Sequence, residues 1–197
     1  MDHGWFKTVA RDDVELITED ISRITEHAIV TTDGLVHEVD LIVLATGFQP
    51  QRMLAPMEIR GRTGRSLRDL WGDDDARAYL GMTVPEFPNL FCLLGPNSFI
   101  GHGGSGMLTI ELQVRYVMEI LALMTAQGIA SVECRQEVHD TYNEELAAAL
   151  AETVWAHPGI STYYRNAAGR IVVPMPWTNV EYRRRVLRPD PEDFILN

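Results

Sequence analysis

The chain is poor in the residues that build metal and disulfide sites. Only two cysteines occur in 197 residues, Cys92 and Cys134, with no close spacing, which excludes both a disulfide framework and a thiolate zinc site. The six histidines (His3, His27, His37, His102, His139 and His157) are scattered, and none pairs with another at helical ligand spacing. No metal is therefore expected. Basic residues are also scarce, 17 against 28 acidic ones, for a formal charge of -11. That balance argues against nucleic acid and anionic membrane surfaces as partners, since both attract basic patches. The one basic cluster, Arg183-Arg184-Arg185, reads as a solvated helix face. No apolar run is long enough to span a bilayer, because the longest candidate is interrupted by Glu111, Arg115 and Glu119. The opening residues lack the apolar core of a secretory signal, and the expected location is the cytoplasm.

What is present is a set of short elements with clear punctuation. Val14–Ile17, Ile21–Ile24, Ala28–Thr31 and Leu35–Val39 read as short strands, with Asp33-Gly34 as the turn of a hairpin. Asp40-Leu41-Ile42-Val43-Leu44-Ala45-Thr46-Gly47-Phe48 reads as a buried central strand that stops on a small-residue turn. Residues 49–89 are loop-rich, with Ser66–Trp71 as a helical turn, Asp73-Asp74-Asp75 as a solvated loop, and Leu90–Leu94 as a second core strand. Ser105–Gln127 reads as a long helix whose apolar residues occupy most of its circumference, which predicts burial on more than one side. Gly128 marks its end. A strand at 130–134, a helix from Gln136 towards Trp155, a strand at Ile171–Val173 and a short arginine-rich helix follow.

Gly101-His102-Gly103-Gly104-Ser105-Gly106 spells G-x-G-x-x-G between a strand and a helix, so a dinucleotide fingerprint must be weighed. Pro96–Ile100 separate it from the strand, and Glu133, the acid at the end of the next strand, lies well beyond the expected spacing of about 20 positions. A plain helix-start loop with Ser105 as N-cap stays open beside a ligand-binding role. If a ligand binds, the amides and partial positive charge at Ser105–Leu108 favour negative charge.

The nonapeptide ending in Ala45-Thr46-Gly47-Phe48 resembles the ATG strand of flavin-dependent monooxygenases, the superfamily of Baeyer–Villiger and flavin-containing monooxygenases. Gly95-Pro96-Asn97-Ser98 through Gly101-His102, Val84–Leu90, and the tail from Tyr163-Tyr164-Arg165-Asn166 to Asp193-Phe194 are similar to the same family. The family's FAD-binding and NADPH-binding glycine motifs and its Baeyer–Villiger signature have no counterpart in the chain, nor does the arginine that serves the flavin. The resemblance therefore implies the C-terminal portion of a larger enzyme: an α/β fragment with a short β-meander plus central strands packed on two long helices.

Within residues 1–197 the resemblance divides the chain into a meander (1–40), flavin-side strands, loop and helix (41–128), and a helical and C-terminal tail region (129–197). It implies FAD and NADPH as cofactors of the intact enzyme, with incomplete sites here. Ala45, Thr46, Gly47, Phe48, Asn97, Ser98, Gly101, His102 and Met107 would lie on the cofactor, and no residue of this chain would be catalytic. NADPH would reduce FAD, oxygen would be held as a C4a-peroxyflavin, and a ketone or aldehyde would become an ester or lactone. The partners implied are that carbonyl substrate and the N-terminal FAD- and NADPH-binding portion; self-association stays open. Inactivity of the isolated chain, N-hydroxylating chemistry, and a non-catalytic interaction module are carried as expectations beside it.

Overall fold

The computed structural model describes residues 3–101, 104–160 and 162–197. The chain divides into two compact units, Met1–Gly47 and Phe48–Asn197, so the division falls after the Leu41–Gly47 run and not before it.

In the first unit a five-residue helix, α1 (Trp5–Val9), precedes an antiparallel meander of β1 (Ile21–Ile24), β2 (Ala28–Thr31) and β3 (Val36–Glu38). The register pairs Ile24 with Ile29 and Val30 with Val36. The hairpin turn is set by Asp33, whose Oδ1 accepts from the Leu35 amide and the Thr31 hydroxyl. Those two bonds depress the Asp33 carboxyl below its usual range, the Thr31 hydroxyl contributing most. Ala28, Val30 and Thr31 are buried. The segment Val14–Ile17 is not a strand.

Leu41–Leu44 corrects the sequence reading. It is neither a strand nor buried: Leu41 is 79% exposed, Val43 78% and Leu44 77%. A run becomes a strand only when a neighbour takes its N–H and C=O groups, and among the described residues no strand pairs with it.

The second unit carries α2 (Leu67–Trp71), α3 (Gly106–Gln127), β4 (Val132–Cys134), α4 (Gln136–Ala151), α5 (Asn179–Arg185) and β5 (Phe194–Leu196). Ser66 caps α2 with a reciprocal pair of bonds to Asp69, an arrangement that stabilises a helix too short to persist alone. β4 pairs antiparallel with β5, and the Asn197 carbonyl takes the amides of Ala130 and Ser131, so the chain's end closes the sheet. Leu90–Leu94 and Ile171–Val173 are not strands either; Ile171 makes only an isolated bridge to Arg165. Fold class still stands as expected, a mixture of small sheets and helices.

Two apolar clusters form the core of this unit. The larger joins α3, α4, α5, β4 and β5 around Tyr116, Ile120, Leu146, Met175 and Tyr182; the smaller sits around Trp71, Val84 and Phe87 under the loop region. α3 ends as expected on Gly128 in the left-handed conformation. Its burial differs from expectation. Thr109, Gln113, Tyr116 and Ile120, spaced four, three and four apart, are buried, whereas Met107, Val114, Met118 and Leu121 form a second apolar stripe left exposed. The apolar circumference is real, but within this unit only one side of it is covered.

Buried polar groups tie the irregular stretches together. The Glu133 carboxylate, 6% exposed on β4, takes Arg62 through two bonds and the Glu86 amide at 2.9 Å. Cys92 and Cys134 are both buried and free. Burial pushes their thiols up to about 11 and about 12 respectively. The thiolate is the reactive form, so neither should react with a thiol reagent at about pH 8 until the unit unfolds. A spectrophotometric thiol titration with and without urea checks this. Stability from the raised thiols is present below the ordinary thiol pKa and is lost as pH climbs towards about 11.

Candidate functional site

The segment Gly95–Gly101 is held from below by its own side chains. Asn97 adopts a left-handed backbone (φ 51) and is buried. Its Nδ2 donates to the carbonyls of Ile171 and Pro174, both at 3.1 Å, and its amide donates to Val172 O at 3.2 Å. Its Oδ1 accepts from Arg170 at 3.4 Å. Ser98 is fully buried, and its hydroxyl donates to Gly95 O at 2.7 Å. Both side chains were expected to offer hydrogen bonds to a cofactor. Here they are spent within the protein, clamping the loop to the tail, because an unpaired polar group at such burial would be costly.

Gly95 and Gly81 explain why glycine stands in this loop at all. A Cβ on Gly95 would lie 2.3 Å from the Gly81 carbonyl oxygen, and one on Gly81 would lie 2.8 Å from Ser98 Cβ. At Gly101 a Cβ would meet the Trp155 ring at 2.6 Å, so the loop runs flat against an indole.

Beyond Ser98 the loop surfaces. Phe99, Gly101, Gly104, Ser105 and Met107 are exposed, Met107 by 69%. Ser105 is the N-cap of α3, its Oγ accepting from the Leu108 amide at 3.3 Å. The amides of Gly106 and Met107 stand at the open start of a 22-residue helix, and space is clear within 4 Å of where a Gly106 Cβ would be. His102 lies outside the described residues. Ala45, Thr46 and Gly47 belong to the first unit and Phe48 to the second; all four are exposed, and Gly47 has positive φ with open space around it.

An aromatic cluster flanks the loop. Tyr164 lies 6.3 Å from Phe99, 6.0 Å from Trp155 and 4.5 Å from Tyr163, centroid to centroid. Burial, then the Tyr163 hydroxyl, pushes Tyr164 up to about 12. Arg165 fixes this corner by donating to the carbonyls of Trp155 and His157. Two residues of the acidic triplet, read from the sequence as a solvated loop, are structural: Asp75 takes Arg170, Arg77 and Asn166, and Asp74 takes the Ala167 amide. Isolated aromatic and acidic letters carry no signal for partners so distant in sequence.

Chemically, the arrangement offers a rigid, glycine-flattened loop, exposed helix-start amides able to stabilise an anion, and an aromatic wall. No carboxylate or imidazole stands among the described residues of Gly95–Met107. Among the described residues no group of three or more His, Cys, Asp or Glu side chains could hold a metal. Nor is any described helix long and apolar enough to cross a membrane.

No family model matches the chain. It is 41% identical over 194 residues to an uncharacterized monooxygenase, y4iD, of Sinorhizobium fredii, covering 98% of this chain and 29% of that protein. It is 37% identical over 164 residues to a Baeyer-Villiger monooxygenase of Pseudomonas aeruginosa, covering 83% of this chain and 31% of that protein. The crystal structure of OTEMO in complex with FAD and NADP superposes with a TM-score of 0.79 at 27% identity, over 100% of this chain and 37% of the other. The chain thus spans about a third of the length of the proteins it matches.

Proposed function

We propose, from the premise that this chain corresponds to the C-terminal portion of the flavin-dependent monooxygenases of the Baeyer–Villiger and flavin-containing superfamily, that it supplies one wall of an FAD site. The enzyme would use NADPH and oxygen to convert a ketone or aldehyde into an ester or lactone. The observation that carries this reading is the Gly95–Met107 segment: a clamped loop that delivers the open start of α3 to the surface. Those residues suit a flavin, because a flat ring needs a backbone without side-chain obstruction and a reduced ring needs a positive environment.

In this reading roles for Ala45, Thr46, Gly47, Phe48 and His102 rest on the family resemblance alone, and Gly101 and Met107 of the second unit lie beside the ring. Asn97 and Ser98 position the loop and do not touch it. Bound FAD would supply the hydride acceptance and oxygen activation; the chain's residues bind, orient and exclude water. Alone, the chain would not turn over substrate, since the residues that would hold NADPH are to be sought in the remaining length of the larger proteins.

A second reading, a self-associating or partner-binding module without flavin, is favoured by the exposed apolar residues at Leu41, Val43 and Leu44 and along α3. Titrating FAD into the chain separates the two. Flavin fluorescence quenching in the micromolar range is expected, and Met107→Asp should weaken it at least about tenfold while the helix itself gains from an acidic first turn. Absence of quenching at millimolar FAD, with concentration-dependent association in the ultracentrifuge, would favour the second reading.

A further inference from the structure

A cavity of about 300 Å³ in the second unit is lined by the apolar Leu146, Ala147, Leu150, Ala151, Ala156 and Ile171 together with Arg77, Arg165 and Arg170. It shares none of the residues proposed to meet FAD, so it stands independently of that reading. The volume is at the lower end of small-molecule sites, and the lining is largely apolar with a few polar groups set together, as such sites are.

The charge is the informative part. In a chain with a formal charge of -11, three arginines and no acidic residue line one cavity. Arg77 and Arg170 both lean on the single carboxylate of Asp75. Arg165 donates only to neutral carbonyls, those of Trp155 and His157. Asp74 is a second carboxylate acting on Arg170, so three arginines stand against two carboxylates, neither of which lines the cavity. Burial, opposed by Asp75 and aided by Arg77, pulls Arg170 below the usual arginine range, which an added anion would reverse. Asn143 lines the same cavity, 9% exposed; its Nδ2 donates to His139 O at 2.8 Å while its Oδ1 accepts no hydrogen bond.

We propose that this cavity is a binding site for a small amphiphilic carboxylate, whose alkyl chain lies on the α4 face and whose head group meets the guanidinium side. A guanidinium pairs a carboxylate through two parallel donors, and such charge-assisted bonds strengthen where water is partly excluded. An alcohol or amine of equal length would bury the same chain and lack the pairing.

Octanoate, octanol and octylamine are the probes, titrated into the full chain with isotope-labelled alanine methyl groups followed by NMR. Octanoate should shift the Ala147, Ala151 and Ala156 methyl signals, with octanol and octylamine at least about tenfold weaker. Arg77 is exposed, so Arg77→Gln should leave the fold intact and weaken octanoate about tenfold. Ala151→Leu, which fills the cavity from its exposed rim, should abolish binding. Three results overturn the proposal: equal binding of octanoate and octanol, equal binding by both variants and the parent, or no shift at about 10 mM octanoate.

Discussion

Gly95→Ala is expected to destabilise the second unit by about 3 kcal/mol or more, a large share of the roughly 5–15 kcal/mol that holds a domain together. The added Cβ would sit 2.3 Å from the Gly81 carbonyl oxygen and 2.8 Å from Cys92 Cβ. The first of these is backbone and cannot swing aside as a side-chain tip can. Gly81 cannot retreat freely either, since its own Cβ position faces Ser98 at 2.8 Å, and Ser98 is fully buried with its hydroxyl bonded to Gly95 O. The two loops are thus locked through each other, and moving one strains the clamp of Asn97 on the tail. Gly106→Ala is the control. Nothing lies within 4 Å of its Cβ position and it is the first residue of α3, so alanine there should be neutral or stabilising by up to about 1 kcal/mol. Urea unfolding of the two variants beside the parent reads the difference. A Gly95→Ala protein within about 1 kcal/mol of the parent would show that the loops yield, and that glycine stands at 95 for some reason other than packing.

The same pair of glycines marks what could be read from the sequence and what could not. Helices announced themselves locally: the Ser66–Trp71 turn, Ser105 before the apolar run and Gly128 after it act within one turn and sit where they were expected, while the reciprocal bonds of Ser66 with Asp69 came from the structure. The meander was legible for the same reason, since Asp33-Gly34 makes its turn from its own neighbours. Leu41–Leu44 and Leu90–Leu94 have the composition of core strands, but a strand is a relation to a second segment, and composition says nothing about whether that segment is present. Asn97 failed in the opposite direction. A polar residue in a glycine-rich loop looks available to a ligand, yet its hydrogen bonds go to carbonyls more than seventy positions away. The exposed second stripe of α3 came from the structure. The candidate site was therefore legible as a place, and its division into residues that hold and residues that face outward was not.

Gln113→Ala tests the deepest of those long-range ties. Gln113 is fully buried on α3; its Oε1 accepts from the Leu94 amide at 2.7 Å and its Nε2 donates to the Tyr182 hydroxyl at 2.8 Å. Tyr182, also fully buried, donates its own hydroxyl to Leu80 O at 2.7 Å. One side chain thus joins α3, α5 and the two loop stretches that lead into Gly81 and Gly95. Its removal leaves the Leu94 amide without an acceptor, a penalty of about 1–3 kcal/mol, and opens a cavity in a packed core worth a further ~1–2 kcal/mol. The expected loss is about 3–4 kcal/mol. Gln113→Leu keeps most of the volume and should recover the cavity part only, which separates packing from hydrogen bonding. Tyr182→Phe should couple to Gln113→Ala by more than about 0.5 kcal/mol in a double-mutant cycle, since both remove the same bond. Additive losses would mean that the chain Leu94–Gln113–Tyr182–Leu80 is a set of separate contacts. Coupled losses would make it one connected support, with the loop that carries Asn97 and Ser98 resting on it.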